Sequence, residues 1–132
     1  MSESLTNVFA ITLFVEDPTR SKAFYEKVFE ASVVFEDDDS AAFKFDNTII
    51  NLLATPAAHE LIAPATVGGP DAGASAQFTI GVDDANAVCE ELASRGVELL
   101  NGPIDRPWGM RTAAFADPDG HVWEVAQQLA AD

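Results

Sequence analysis

Basic residues are scarce: 7 Lys and Arg stand against 22 Asp and Glu, for a net charge of −15. Nucleic-acid binding relies on Lys and Arg neutralising phosphates, so a nucleic-acid partner is not expected. Cysteine occurs once, at Cys89, which leaves no internal disulfide. Glu90 and Glu91 beside it disfavour a thiolate, so Cys89 reads as a buried, inert thiol. Histidine occurs twice, as His59 and His121. The glycines form no clustered loop of the kind that cradles phosphates, and no nucleophile–base pair stands out. No apolar run approaches the roughly 20 residues of a membrane span. The start, Met1 to Asn7, lacks the basic and apolar regions of a secretory signal. The expectation is a cytoplasmic protein with no membrane partner.

What is present is ordinary globular composition, 48% hydrophobic over 132 residues, sufficient for one domain with a core. The excess negative charge serves solvation and is also compatible with a cationic small ligand. The run at 36–39 (EDDD) reads as a solvated turn, or as a weak surface site for a cation.

The chain repeats itself. Residues 10–17 (AITLFVED) reappear 67 positions later as residues 77–84 (QFTIGVDD), each an apolar strand with Thr at the same place. Two copies of one folded unit pack together and create a cleft between them, the natural place for a ligand.

The first unit reads as strand Val8–Val15, then a helix with Asp17 as N-cap and Pro18 at its first position. Helical spacing turns Phe24 and Val28 toward the core, with Tyr25 also core. Strands come next at Ala31–Glu36, Ser40–Phe45 and Thr48–Ala54, the last two joined by a tight turn at Asp46 and Asn47. Residues 55–74 are rich in Pro, Ala and Gly and form a linker, either a lid or a plain connection with a short helix near Ala57–Ile62. The second unit reads as strand Ser75–Val82, helix Ala85–Arg95 ended by Gly96, and strands Val97–Leu100, Met110–Ala116 and His121–Gln127. Residues 41–43 (AAF) echo 113–115 (AAF), which sets Asn51 in correspondence with Glu124. Each unit is β-α-β-β-β, an α+β architecture with module one at about 8–54 and module two at 75–128 of a single domain spanning 1–132.

Several stretches in this order resemble the vicinal oxygen chelate superfamily, which includes glyoxalase I, extradiol dioxygenases and bleomycin-resistance proteins. They are residues 11–17 (ITLFVED), 20–25 (RSKAFY), 82–84 (VDD), 95–96 (RG), 107–111 (PWGMR) and 115–121 (FADPDGH). The resemblance spans about Val8 to Gln127. It implies a curved mixed sheet that encloses a cavity with the helices outside, and a homodimer. It also implies metal-ligand positions on the first and fourth strands of each unit, which here are Ala10, Asn51, Gln77 and Glu124. Gln77 and Glu124 can ligate a divalent metal through oxygen; Ala10 has no donor atom. The cofactor is therefore either none or a divalent metal.

Strand parity puts Ala10, Thr12 and Phe14 on one face and Ile11, Leu13 and Val15 on the other. Gln77, Thr79 and Gly81 likewise oppose Phe78, Ile80 and Val82. The mixed sets line the cleft. Candidate ligand contacts are thus Thr12, Phe14, Asn51, Gln77 and Thr79, with Glu124 as the candidate general base. Trp108 offers a flat face for stacking, or else plugs the core. Arg111 could hold a substrate carboxylate or phosphate, or pair with Asp105, Asp117 or Asp119. His121 and Glu124, three apart on a strand, face opposite sides and cannot share a metal, which leaves His121 a turn-stabilising role. His59 could reach a ligand only by folding over the cleft. The leading expectation is a protein that sequesters a small, cationic or aromatic compound in the inter-module cavity. The alternatives are a divalent-metal-dependent lyase, isomerase or dioxygenase using Gln77 and Glu124, and a metal-free enzyme with Glu124 as base.

Overall fold

The computed structural model describes residues 5–130; Met1 to Ser4 and Ala131 to Asp132 lie outside the described residues. The chain divides between Gly68 and Gly69 into two compact units. The first carries β1 (Ala10–Val15), α1 (Pro18–Phe29), β2 (Ser32–Glu36), β3 (Ser40–Lys44), β4 (Ile49–Ala54) and α2 (Thr55–Ile62). The second carries a single 3-10 turn at Pro70–Ala72, then β5 (Gln77–Gly81), α3 (Ala85–Ser94), β6 (Leu99–Asp105), β7 (Met110–Ala116) and β8 (Val122–Gln128). Each unit is β-α-β-β-β around an open four-stranded mixed sheet, ordered β1-β4-β3-β2 and β5-β8-β7-β6. In both, the first strand runs parallel to the fourth and the other pairs are antiparallel. No helix among the described residues is long and apolar enough to cross a membrane.

The helix starts are set by local chemistry. The Asp17 carboxylate accepts the amides of Thr19 and Arg20 at 3.1 and 3.3 Å, and Pro18 needs no amide partner at the first helical position. Asp84 caps α3 through the Ala87 amide at 3.0 Å. Gly96, with φ of 81°, takes the left-handed position just past α3.

In unit one, α1 buries Ser21, Tyr25 and Val28 against β3 and β4. That stripe runs through Tyr25 rather than Phe24, which sits half-buried at its edge with its ring T-shaped against Tyr25 at 5.5 Å. Tyr25, fully buried, stacks on Phe29 at 5.3 Å and meets Phe43 at 5.9 Å. In unit two, Cys89 and Leu92 of α3 belong to the core with Ala113, Phe115, Trp123 and Val125. Burial pushes the Cys89 thiol pKa up, which keeps it inert.

The linker takes its short-helix alternative, beginning two residues earlier than Ala57, whereas the sixth strand departs from expectation. Eight residues of the linker form α2, which buries Ala58 and packs on β1 and β4, while the Thr55 hydroxyl donates to the Val15 carbonyl at 3.1 Å. The sixth strand runs to Asp105 instead of stopping near Leu100. Gly102 and Pro103 form an irregularity inside a continuing strand, with register shifts on both sides of Asn101. Gly102 has φ of 92°, and a Cβ there would collide with the Thr112 carbonyl oxygen and the Ala113 backbone.

Candidate functional site

The pairing registers determine which side chains share a face, because laterally paired residues point the same way and successive residues alternate. In unit two, Thr79 pairs with Glu124, Glu124 with Ala114 and Ala114 with Asn101. These four form one row straight across the sheet. The next row is Ala126, Thr112 and Ile104, and Gln77 lies diagonally from Glu124. The opposite face carries Phe78, Phe115, Trp123 and Val125, with Phe78 and Trp123 rings 5.2 Å apart. The Glu124 face is therefore the one opposite these aromatic residues; Thr112, Ala114 and Ala126 on it are buried, while Thr79 and Asn101 are exposed.

Glu124 is half-buried on this face. Its Oε1 accepts the Thr79 hydroxyl at 2.9 Å, and Oε2 has no protein partner among the described residues. One oxygen is anchored and the other is open. Ala114 and Ala126 beside it are small and buried. At the far side stands Arg106, half-buried, at the end of β6. A turn held by the Arg106 amide to the Met110 carbonyl (2.7 Å) and the Gly109 amide to the Arg106 carbonyl (3.1 Å) fixes its backbone. Its Nε donates to the hydroxyl of Thr112, a residue 2% exposed, at 3.0 Å, and Nη2 reaches Asn101 Oδ1 at 3.5 Å. Sequence reasoning missed Arg106, Thr112 and Asn101. Thr112 is placed on this face by the β7–β8 register, and Asn101 and Arg106 by a strand that continues through Gly102 and Pro103.

Unit one repeats the row with different chemistry. Thr12 pairs with Asn51, Asn51 with Ala42 and Ala42 with Phe35. Asn51 stands where unit two has Glu124, and Ala10 where it has Gln77. Phe14 and Leu53 pair on the same face, and Phe35 is exposed. Thr12, Phe14 and Asn51 are half-buried there.

The other candidates lie elsewhere. Arg111 pairs with Gln127 across the sheet, on the helix side, where the Gln127 side chain accepts the Ala85 amide at 2.9 Å. Asp105 holds its guanidinium at two points, 2.6 and 3.2 Å, and Arg111 in turn lowers the Asp105 pKa. Of the alternatives for Arg111, the local ion pair is the one present, and it lies away from the Glu124 face. Trp108 is 69% exposed in the turn after Arg106, so it plugs no core. His59 is exposed on α2. His121 does not share a site with Glu124: its Nδ1 lies 2.8 Å from Asp117 Oδ2 in the turn before β8.

The metal-ligand positions that the resemblance implies supply one carboxylate, Glu124, two amide oxygens from Gln77 and Asn51, and a methyl group at Ala10. A catalytic zinc site uses about three strong protein ligands. Among the described residues no three His, Cys, Asp or Glu side chains gather into a metal-binding group, and Thr79 already occupies one oxygen of Glu124. This donor set does not fit a tightly held transition metal.

Solved structures share the architecture. A glyoxalase/bleomycin resistance protein/dioxygenase from Nocardioides superposes with a TM-score of 0.86 at 23% identity, covering 99% of this chain and 89% of that one. A glyoxalase-related enzyme from Fulvimarina pelagi gives 0.80 at 24% identity over 94% and 89%. A lactoylglutathione lyase from Agrobacterium tumefaciens gives 0.76 at 18% identity over 95% and 96%. At these identities the likeness is one of fold. Residues 7–125 also match the sequence pattern of an established family, and the tandem β-α-β-β-β units and their paired rows agree with it. The chain belongs to the glyoxalase/bleomycin resistance protein/dioxygenase superfamily.

Proposed function

We propose that the protein binds a small organic molecule against the Glu124 face of its second sheet and sequesters it there. The observation that carries this reading is the Thr79–Glu124 hydrogen bond on a face floored by alanines. A carboxylate anchored at Oε1 and open at Oε2 is a fixed acceptor for a hydroxyl or N–H of a ligand. Gln77 and Thr79 add polar contacts on the same side, and Trp108, in the turn after Arg106, adds an exposed aromatic surface. Such a mixture of few polar groups among apolar ones is characteristic of small-ligand sites.

A second reading is favoured by the same open oxygen. A carboxylate fixed by one hydrogen bond can abstract a proton from a bound substrate, which would make the protein a metal-free enzyme with Glu124 as general base. The metal-dependent lyase or dioxygenase reading has less support, because it must rest on Gln77 and Glu124 as its strong donors. We also propose a homodimer, expected as a solution mass of twice 14.1 kDa.

Metal content tests the division between these readings. Protein exposed to Zn²⁺, Ni²⁺, Mn²⁺ and Fe²⁺ and then freed of excess ions is expected to retain none in stoichiometric amount. About one ion per chain, lost in Glu124→Gln, would overturn the sequestering reading in favour of the metalloenzyme.

A further inference from the structure

The two arginines of the β6–β7 hairpin are sorted to opposite faces. Asp105 ends β6 and Arg106 opens the turn after it; their partners lie on opposite faces of the sheet. Asp105 goes to the helix side and is consumed by Arg111. Arg106 goes to the Glu124 face, and its partners there are the neutral Thr112 and Asn101. No carboxylate among the described residues pairs with it, although the chain has 22 acidic residues to 7 basic. Arg106 is also oriented, since Nε is tied to a hydroxyl that is itself buried. Of the five guanidinium N–H donors, both on Nη1 and one on Nη2 have no protein acceptor among the described residues. A guanidinium with one edge fastened and the other open is a fork shaped for a carboxylate or phosphate.

We propose that Arg106 is an anion-recognition residue, and that the ligand of this face carries a carboxylate or phosphate group. Thr112, to which Arg106 is tied, is the diagonal neighbour of Glu124 across β7 and β8. Such positions lie about 7–8 Å apart. The ligand is therefore expected to present an anion to Arg106 and a hydrogen-bond donor to Glu124. Ala114 and Ala126 lie under the span between. This replaces the cationic ligand that bulk charge suggests: the net charge of −15 describes the whole surface, whereas Arg106 and Glu124 describe this face. The inference rests on the ligand site proposed above.

The test uses the full chain and ligand-observed NMR with five probes: phenyl phosphate, phenylacetate and glutarate as anions, phenylacetamide as neutral, benzylamine as cation. The anions are expected to bind in preference to phenylacetamide and benzylamine. Arg106→Gln should weaken the anions roughly tenfold to a hundredfold, the loss of a charge-assisted pair, and leave phenylacetamide unchanged. Arg106→Lys should restore part of the loss, and Thr112→Val should weaken anion binding without removing the charge. Circular dichroism and urea unfolding of each variant check that the fold is intact. If Glu124→Gln weakens the probes but Arg106→Gln does not, or if benzylamine binds best, the anion assignment fails and the ligand face stands. If neither variant changes binding, or nothing binds, both fail.

Discussion

The turn from β7 to β8 hangs on one carboxylate, and its removal has a calculable cost. Asp117 is 5% exposed. Its Oδ1 accepts the amides of Asp119 and His121, each at 2.9 Å, and its Oδ2 faces His121 Nδ1 at 2.8 Å. Asp117→Ala strips three hydrogen bonds to a charged acceptor and strands two amides. At about 1.5–3 kcal/mol for a bond to a charged group, reduced by water reaching the half-buried His121, the loss is about 3–5 kcal/mol. That is a large part of the roughly 5–15 kcal/mol by which a domain is stable. The same cluster makes stability depend on pH. Burial is the largest single influence on His121 and lowers its pKa, but the Asp117 hydrogen bond, the Asp117 charge and the Asp119 charge together raise it above 6.5. A raised folded-state pKa stabilises fully below 6.5, the unfolded value, and the benefit vanishes as pH rises through the folded value. Urea unfolding of wild type and His121→Asn should therefore show a larger difference at about pH 5.5 than at about pH 9. A cost for Asp117→Ala below about 1 kcal/mol, or a His121 contribution that grows with pH, would refute this account of the turn.

Other substitutions separate packing from ligand chemistry. Gly102→Ala forces a Cβ into the Thr112 carbonyl and the Ala113 backbone at positive φ; a loss on the order of 3 kcal/mol or a failure to fold is expected in urea unfolding. Thr79→Val removes the bond to Glu124 on an exposed face, so it should cost under about 1 kcal/mol of stability yet weaken ligand binding measured by NMR. Cys89, buried with a raised pKa, should react with a thiol reagent slowly in the native protein and quickly in urea.

The architecture was legible because its signals were local and duplicated. Asp17 with Pro18, Asp84, and Gly96 marked helix ends by their own backbone chemistry, and the copied Thr12 and Thr79 aligned the two modules. The correspondence of Asn51 with Glu124 comes from the AAF echo, and the strand registers reproduce it. The face opposite the core was legible by alternation alone. Arg106 was not, for a physical reason. Alternation cannot be counted through a bulge, and Gly102 and Pro103 interrupt the strand just before Arg106, so Arg106 has no assigned face. Arg111 is legible instead, as one of only seven basic residues and part of the 107–111 stretch. Its partner was open among three aspartates, and only three-dimensional pairing distinguishes Asp105, across the strand, from Asp117 and Asp119, which the β7–β8 turn keeps for itself.

The two rows show how one scaffold is specialised. Thr–Asn–Ala–Phe in unit one and Thr–Glu–Ala–Asn in unit two occupy equivalent lateral positions. The threonine and the alanine are common to both. A half-buried carboxylate costs desolvation unless a donor faces it, and Thr79 meets that need while Thr12 stands beside a neutral amide. Where unit one places Phe35 at the far strand, unit two places Asn101, and Asn101 together with Thr112 gives a guanidinium two neutral acceptors. The charged pair Glu124 and Arg106 is thus held apart on one face by alanines, each charge fixed by neutral side chains rather than by the other. An ion pair between them would have neutralised both; their separation keeps an acceptor and a donor fork available to a ligand that spans them.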